Sequence, residues 1–154
     1  MRLLLIRHAR AEACHHLPDA ERPLTDEGRS EFARLARDVV ERGVTPGFIF
    51  HSPARRTSET ASILAAACGL PPHTLEIAPW LALGSGCQDV LPKLAQLPAD
   101  LTALVGHEPI MSSLTSLLMR SGRVSFSPGT SACLEFDKVI EVGQGRLLWM
   151  LEPR

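Results

Sequence analysis

The sequence predicts an α/β fold, a three-layer α/β/α sandwich around a mostly parallel central sheet. Three observations carry this expectation. Short, wholly apolar runs, Leu3-Leu4-Leu5-Ile6 near the start and Leu101 to Val105 later, suit strands buried on both faces. Between such runs lie stretches whose apolar residues recur at helical spacing, which suits crossover helices. Both runs also end in basic side chains, Arg7 and His8 after the first and His107 after the second. The carboxyl edge of an open α/β sheet is where ligand crevices form, because loops there vary over a rigid support.

Taken in order, the first strand leads into a polar stretch from Ala11 to Leu24 that contains Pro18 and Pro23 and reads as a long loop over the strand's end. Loops of that length in a compact domain are commonly functional. His15 and His16 within it could be read as metal ligands, but without an acidic or cysteine partner at ligand spacing the structural or solvent-facing reading is preferred. Thr25 suits a helix N-cap, with Asp26 and Glu27 near the positive helix end. The helix then runs to about Arg42, burying Phe32, Leu35, Ala36, Val39 and Val40, and Gly43 suits its end.

Gly47 to His51 reads as a second strand, followed by Ser52 as N-cap and Pro53 at the first position of a second helix. That numbering places Arg55, Arg56 and Thr57 in its first turns. Arginine there repels the positive helix end, so an anion is the simplest reason for it, against the plain alternative of two surface arginines. The helix continues through Ile63, Leu64 and Ala65 to Ala67, and Gly69 with Pro71-Pro72 ends it.

A third strand is expected from Thr74 to Ile77, then Trp80 as a core or pocket-wall residue, and a turn at Gly84-Ser85-Gly86. A modest helix follows from Gln88 to Leu97, restricted by Pro92. Leu101 to Val105 is the fourth strand, and Pro109 signals a helix whose apolar face is Ile110, Met111, Leu114, Leu117 and Leu118. After a loop from Gly122 to Gly129, Thr130 to Phe136 and Arg146 to Leu151 read as final strands joined through Gly143-Gln144-Gly145.

Length and composition fit one domain over residues 1–154, with 45% hydrophobic and 21% charged residues. A net charge of −1 argues against nucleic-acid or membrane-surface affinity, yet permits a small basic pocket. Cys14, Cys68, Cys87 and Cys133 stand singly, without metal-ligand spacing, and read as reduced thiols of a cytoplasmic protein. No stretch is long enough to span a bilayer, and the apolar run after Met1 is too short for a signal peptide.

A parallel sheet would gather Arg7, His8, Arg56 and His107 at one edge. Such a group repels itself unless it surrounds an anion, and phosphate fits best: guanidinium groups grip its oxygens, and preorganised charge stabilises a transferring phosphoryl group. A neutral imidazole among them is also a nucleophile near pH 7.

Arg7-His8-Ala9 after an apolar strand, Leu24-Thr25 with Gly28, Ser52-Pro53 with Arg56 and Thr60, and Gly106-His107 together resemble the histidine phosphatase superfamily, from Arg2 to about Leu118. Ala9 stands where the family usually has glycine. The compact length, Arg22-Pro23-Leu24-Thr25, Gly86-Cys87-Gln88-Asp89 and Thr130-Ser131-Ala132 are similar to the SixA-type phosphohistidine phosphatases. The resemblance implies a phosphoglycerate mutase-like fold. It implies that His8 attacks phosphorus to give a phosphohistidine enzyme that water hydrolyses, with Arg7, Arg56 and His107 holding the phosphoryl oxygens and neither metal nor cofactor required. Arg56 rather than Arg55 is the family's arginine, four residues after the serine. Arg22 adds a phosphate contact if the long loop folds over the pocket, and is otherwise a surface residue.

Relatives acting on alcohol phosphates carry a carboxylate just beyond the third strand, whereas this chain has Trp80-Leu81-Ala82-Leu83. A general acid contributes about 10²–10⁴-fold. Its loss matters less for phosphohistidine, whose imidazole can be protonated in advance and leave neutral. The missing carboxylate therefore favours a nitrogen–phosphorus substrate over a sugar phosphate, and the SixA-type resemblance implies a phosphohistidine-bearing signalling or carrier protein as partner. A small-molecule phosphomonoesterase using Asp89 or Glu108 as acid is the alternative, and a non-catalytic phosphate-binding module is a second.

Overall fold

Six strands form one sheet in the order β3-β2-β4-β1-β5-β6, in a computed structural model that describes residues 1–98 and 100–154. The strands are β1 (Arg2–Arg7), β2 (Phe48–His51), β3 (Leu75–Ile77), β4 (Leu101–Gly106), β5 (Ser131–Glu135) and β6 (Arg146–Leu151). The helices are α1 (Asp26–Glu41), α2 (Arg55–Cys68), α3 (Cys87–Leu94) and α4 (Ile110–Leu118). Strands β1 to β4 are mutually parallel, while β5 runs antiparallel to β1, and β6 to β5. This is the expected mostly parallel α/β architecture.

The apolar run of β1 has no polar position because both of its faces are covered. Leu4 and Ile6 pack with Phe32, Leu35 and Leu64 beneath α1 and α2. Leu3 and Leu5 pack with Val90, Met111 and Leu114 beneath α3 and α4. The chain leaves β1 for β2 by passing over β4, and it returns from β3 to β4 past β2. The carboxyl ends of β1, β2 and β4 consequently open on one edge, and the residues after them share it.

Strands β2, β3 and β5 are each trimmed by a residue at one or both ends, Leu117 of α4 is 38% exposed rather than part of its buried face, and two helix boundaries differ further from the sequence expectation. Helix α2 starts at Arg55, with Ala54 in the cap position and no side-chain cap, so Ser52 and Pro53 precede it. The Ser52 hydroxyl is drawn instead to His107, a partner 55 residues away that local capping rules do not see. Helix α3 ends at Leu94 and covers less of the stretch to Leu97.

Thr25 caps α1 by accepting the Gly28 N–H at 2.9 Å. A side chain at Gly28 would place its Cβ 2.3 Å from the backbone oxygen of Arg10, so only glycine lets α1 approach the segment leaving β1. The Thr25 N–H donates to that same oxygen at 2.9 Å. Among the described residues, no helix is long and apolar enough to cross a membrane.

Candidate active site

The end of β1 is clamped from three sides. The His8 N–H donates to the Gly106 carbonyl of β4 at 3.0 Å, and the Arg7 and His8 carbonyls accept the Gly129 N–H at 3.1 and 2.9 Å. The Ala9 N–H donates to Thr60 Oγ1 of α2 at 3.0 Å, and that hydroxyl donates to the Arg56 carbonyl at 2.7 Å. Thr60 thus couples the segment that carries His8 to the helix turn that carries Arg56. No non-glycine residue has a positive φ among the described residues, so Ala9 sits without strain at the family's glycine position.

His8 Nδ1 lies 2.8 Å from the Ala9 carbonyl oxygen. A carbonyl only accepts, so Nδ1 carries the hydrogen and Nε2 keeps its lone pair. Burial, opposed by the Ala9 bond and reinforced by the charges of Arg56, Arg7 and Arg22, lowers the His8 pKa from 6.5 to about 4. The imidazole is therefore neutral at pH 7, as a nucleophile must be.

His107, 2% exposed, packs edge-on to His8 with ring centroids 5.3 Å apart. Its pKa is likewise lowered to about 4, chiefly by burial and then by Arg56 and His8. Its Nε2 lies 2.7 Å from Ser52 Oγ, and Oγ also accepts the Ala54 N–H at 3.5 Å. When the Ser52 hydroxyl donates to Nε2, the ring hydrogen sits on Nδ1, which has no partner within the protein.

Arg55 and Arg56, adjacent in sequence, part company in space. Arg55 lies on the surface and pairs with Glu59 at 3.0 Å. The Arg56 side chain is 3% exposed, donating from Nη1 to the Asp19 carbonyl at 2.8 Å and from Nη2 to Asp19 Oδ2 at 3.0 Å. Asp19 lies in a short 3-10 turn, Asp19–Glu21, of the long loop, which does fold against α2. Arg22 does not point freely inward: Nε donates to Asp19 Oδ1 at 3.0 Å and Nη1 to the Glu12 carbonyl at 2.9 Å.

Arg7 donates from Nη1 to the Phe126 carbonyl at 2.9 Å. The Phe126 N–H in turn donates to Ser112 Oγ at 2.9 Å, and Ser112 is held by Glu108. Glu108 therefore braces Arg7 through Ser112 and Phe126, its two oxygens occupied by the Ser112 backbone and hydroxyl. Asp89 caps α3, accepting the Gly86 N–H at 2.8 Å. Both carboxylates considered as acids are thus engaged in helix-end bonds.

Among the described residues, the buried side-chain nitrogens and oxygens without a hydrogen-bond partner are Arg7 Nε, Arg56 Nε and His107 Nδ1. Buried donors are ordinarily satisfied, and each orphan costs about 1–3 kcal/mol. Three on three different elements, beside the Nε2 lone pair of His8, make a donor set for an anion's oxygens. No group of three or more His, Cys, Asp or Glu residues that could hold a metal ion occurs among the described residues. Asp19, Ser52 as a partner of His107, and the Glu108-Ser112-Phe126 brace were not legible in the sequence; Asp19 sits three residues before Arg22, the only hint of their pairing.

The profile of the histidine phosphatase superfamily (branch 1) matches residues 3–77, the span that holds Arg7, His8, Arg22 and Arg56. The chain belongs to the histidine phosphatase superfamily. An uncharacterised protein of Picosynechococcus sp. is 33% identical over 112 residues, 71% of this chain and 67% of its own length. Among solved structures, the protein histidine phosphatase SixA complexed with tungstate has a TM-score of 0.85 at 23% identity, covering 99% of this chain and 97% of its own. The putative phosphohistidine phosphatase SixA from Agrobacterium tumefaciens gives 0.81 at 24%, with coverage of 99% and 97%. Its counterpart from Nakamurella multipartitia gives 0.79 at 26%, with 99% and 95%. The fold is thus that of the SixA structures, and membership of a histidine phosphatase superfamily with this site supports phosphatase activity.

Proposed function

We propose that the protein is a phosphohistidine phosphatase that takes phosphate from a phosphohistidine-bearing protein through a covalent intermediate on His8. The observation that carries this reading is the pairing of a neutral His8, its Nδ1–H held by the Ala9 carbonyl, with the orphan donors Arg7 Nε, Arg56 Nε and His107 Nδ1. His8 Nε2 attacks phosphorus, the substrate's P–N bond breaks, and its electron pair returns to the departing imidazole. Water then attacks the phosphoryl group, the Nε2–P bond breaks, and the pair returns to His8. The guanidinium groups and His107 hold the phosphoryl oxygens through both steps, supplying the fixed positive charge that phosphoryl transfer requires.

A phosphohistidine is favoured over an alcohol phosphate because Asp89 and Glu108 are tied to helix ends and Trp80-Leu81-Ala82-Leu83 offers no acid. The SixA likenesses favour the same substrate class. The four free cysteines suit the reducing cytoplasm as the compartment. The test is phosphate release, in excess chelator, from a phosphohistidine-bearing protein and from an alkyl phosphate ester, by wild type and His8→Ala. Release from the former that depends on His8, with little from the ester, is expected. Comparable ester hydrolysis would move the assignment to a small-molecule phosphatase, and phosphate binding without turnover by wild type would make it a binding module.

A further inference from the structure

We propose that Asp19 is the leaving-group subsite: its carboxylate accepts the N–H of the substrate's protonated imidazole while Arg56 beside it holds the phosphoryl group. This rests on the phosphohistidine reading and identifies what compensates for the missing acid. Asp19 takes one hydrogen from each terminal nitrogen of Arg56, through its carbonyl and through Oδ2. The Arg56 Nε–H stays free, so one guanidinium presents an open side to phosphate while its far end fixes a carboxylate. Phosphoryl site and carboxylate are therefore within the width of one guanidinium group.

The carboxylate has room for another donor. Oδ1 meets Arg22, with Nε at 3.0 Å and Nη2 at 2.9 Å, and Oδ2 meets Arg56. A carboxylate accepts about four hydrogen bonds, and the Asp19 side chain is 52% exposed, so Oδ2 can take one more. The bond from Arg56, against a smaller effect of burial, holds its pKa below the usual carboxylate range and keeps it charged. Asp19 and Arg22 also line an open cavity of about 380 Å³ with Ala13, Cys14, His15 and Leu17, on the side of Asp19 that its own loop forms. The charged and titratable groups around Asp19 are Arg56 from α2, Arg22 from its own loop, His107 after β4, and Cys14 and His15 in the cavity wall.

The step balances without a protein acid. The substrate enters as a phosphoryl imidazolium, its second ring nitrogen donating to Asp19. When His8 Nε2 bonds to phosphorus, the P–N pair returns to the ring, which leaves as neutral imidazole still carrying the N–H on Asp19. A carboxylate there favours a substrate whose ring enters as a cation and leaves neutral, and repels a leaving group that departs as an anion.

The test compares wild type and Asp19→Asn on a phosphohistidine-bearing protein and on p-nitrophenyl phosphate, whose leaving group departs as an anion and needs no proton. The asparagine oxygen still accepts from Arg56. We expect the ratio of kcat/KM values, phosphohistidine over p-nitrophenyl phosphate, to fall about tenfold to a hundredfold, the range for one charge-assisted bond. The alkaline limb of the phosphohistidine profile should also move to lower pH, because the carboxylate no longer raises the pKa of the bound imidazolium. An unchanged ratio, with both activities and inhibition by inorganic phosphate weakened alike, would leave Asp19 a mere support for Arg56 and overturn the proposal. Wild type that hydrolyses p-nitrophenyl phosphate but shows no His8-dependent turnover of phosphohistidine would overturn the parent reading as well.

Discussion

Replacing Thr60 by valine removes one oxygen and keeps the shape, so it isolates the link between α2 and the segment that carries His8. Thr60 is 0% and Ala9 2% exposed, so the Ala9 N–H has no access to water once Thr60 Oγ1 is gone. Stranding that donor costs about 1–3 kcal/mol, and the added methyl returns at most about 0.8 kcal/mol. The net loss is about 1–2 kcal/mol, or about 3–6 °C in Tm for a domain of this size. Because the Ala9 carbonyl holds His8 Nδ1, loosening Ala9 also misplaces Nε2, and a drop in kcat of about tenfold or more is expected. Urea unfolding with kinetics on the same samples measures both. Thr115→Val is the control, since its hydroxyl only donates back to the Met111 carbonyl at 2.7 Å. A Thr60→Val protein as stable as that control, with unchanged kcat, would refute the reasoning.

Ser52→Ala should free the His107 ring to adopt either tautomer, weakening inhibition by inorganic phosphate and lowering kcat about tenfold; Ser52→Thr, keeping the hydroxyl, should restore both, and the nitrogen chemical shifts of His107 report the tautomer. Stability should also depend on pH. His8 and His107 have folded pKa values of about 4 against 6.5, so between those limits the unfolded chain binds more protons and stability falls as pH drops from 6.5 toward 4. The urea midpoint of wild type should fall across that window, and His107→Gln should flatten part of the fall; parallel curves would contradict the shift assigned to His107.

The buried strands were legible in the sequence because β1 and β4 are covered on both faces and have no polar positions to blur the pattern. The basic residues after them were legible for a related reason: a parallel sheet places every strand end on one edge, whatever the loops do. What escaped were pairings set by the folded topology. Ser52-Pro53 has the form of a helix start, yet the hydroxyl goes to His107, across from β2 to β4. Asp19 lies 37 residues from Arg56, and nothing near either residue signals their ion pair. Glu108 has the chemical group an acid needs, but its i, i+4 bonds to Ser112 commit it to bracing Arg7. Arg55 and Arg56 are chemically alike, and only the turn of α2 sends one to Glu59 and the other inward.

The central claim is that His8 Nε2 carries the phosphoryl group. Its most direct test is rapid mixing of the enzyme with a phosphohistidine-bearing protein, quenching at alkaline pH where phosphohistidine survives, and locating phosphate by mass spectrometry in wild type and His8→Ala. Phosphate on His8 in wild type, with neither phosphoenzyme nor phosphate release in His8→Ala, is expected. Phosphate on another residue, or undiminished release by His8→Ala, would contradict it.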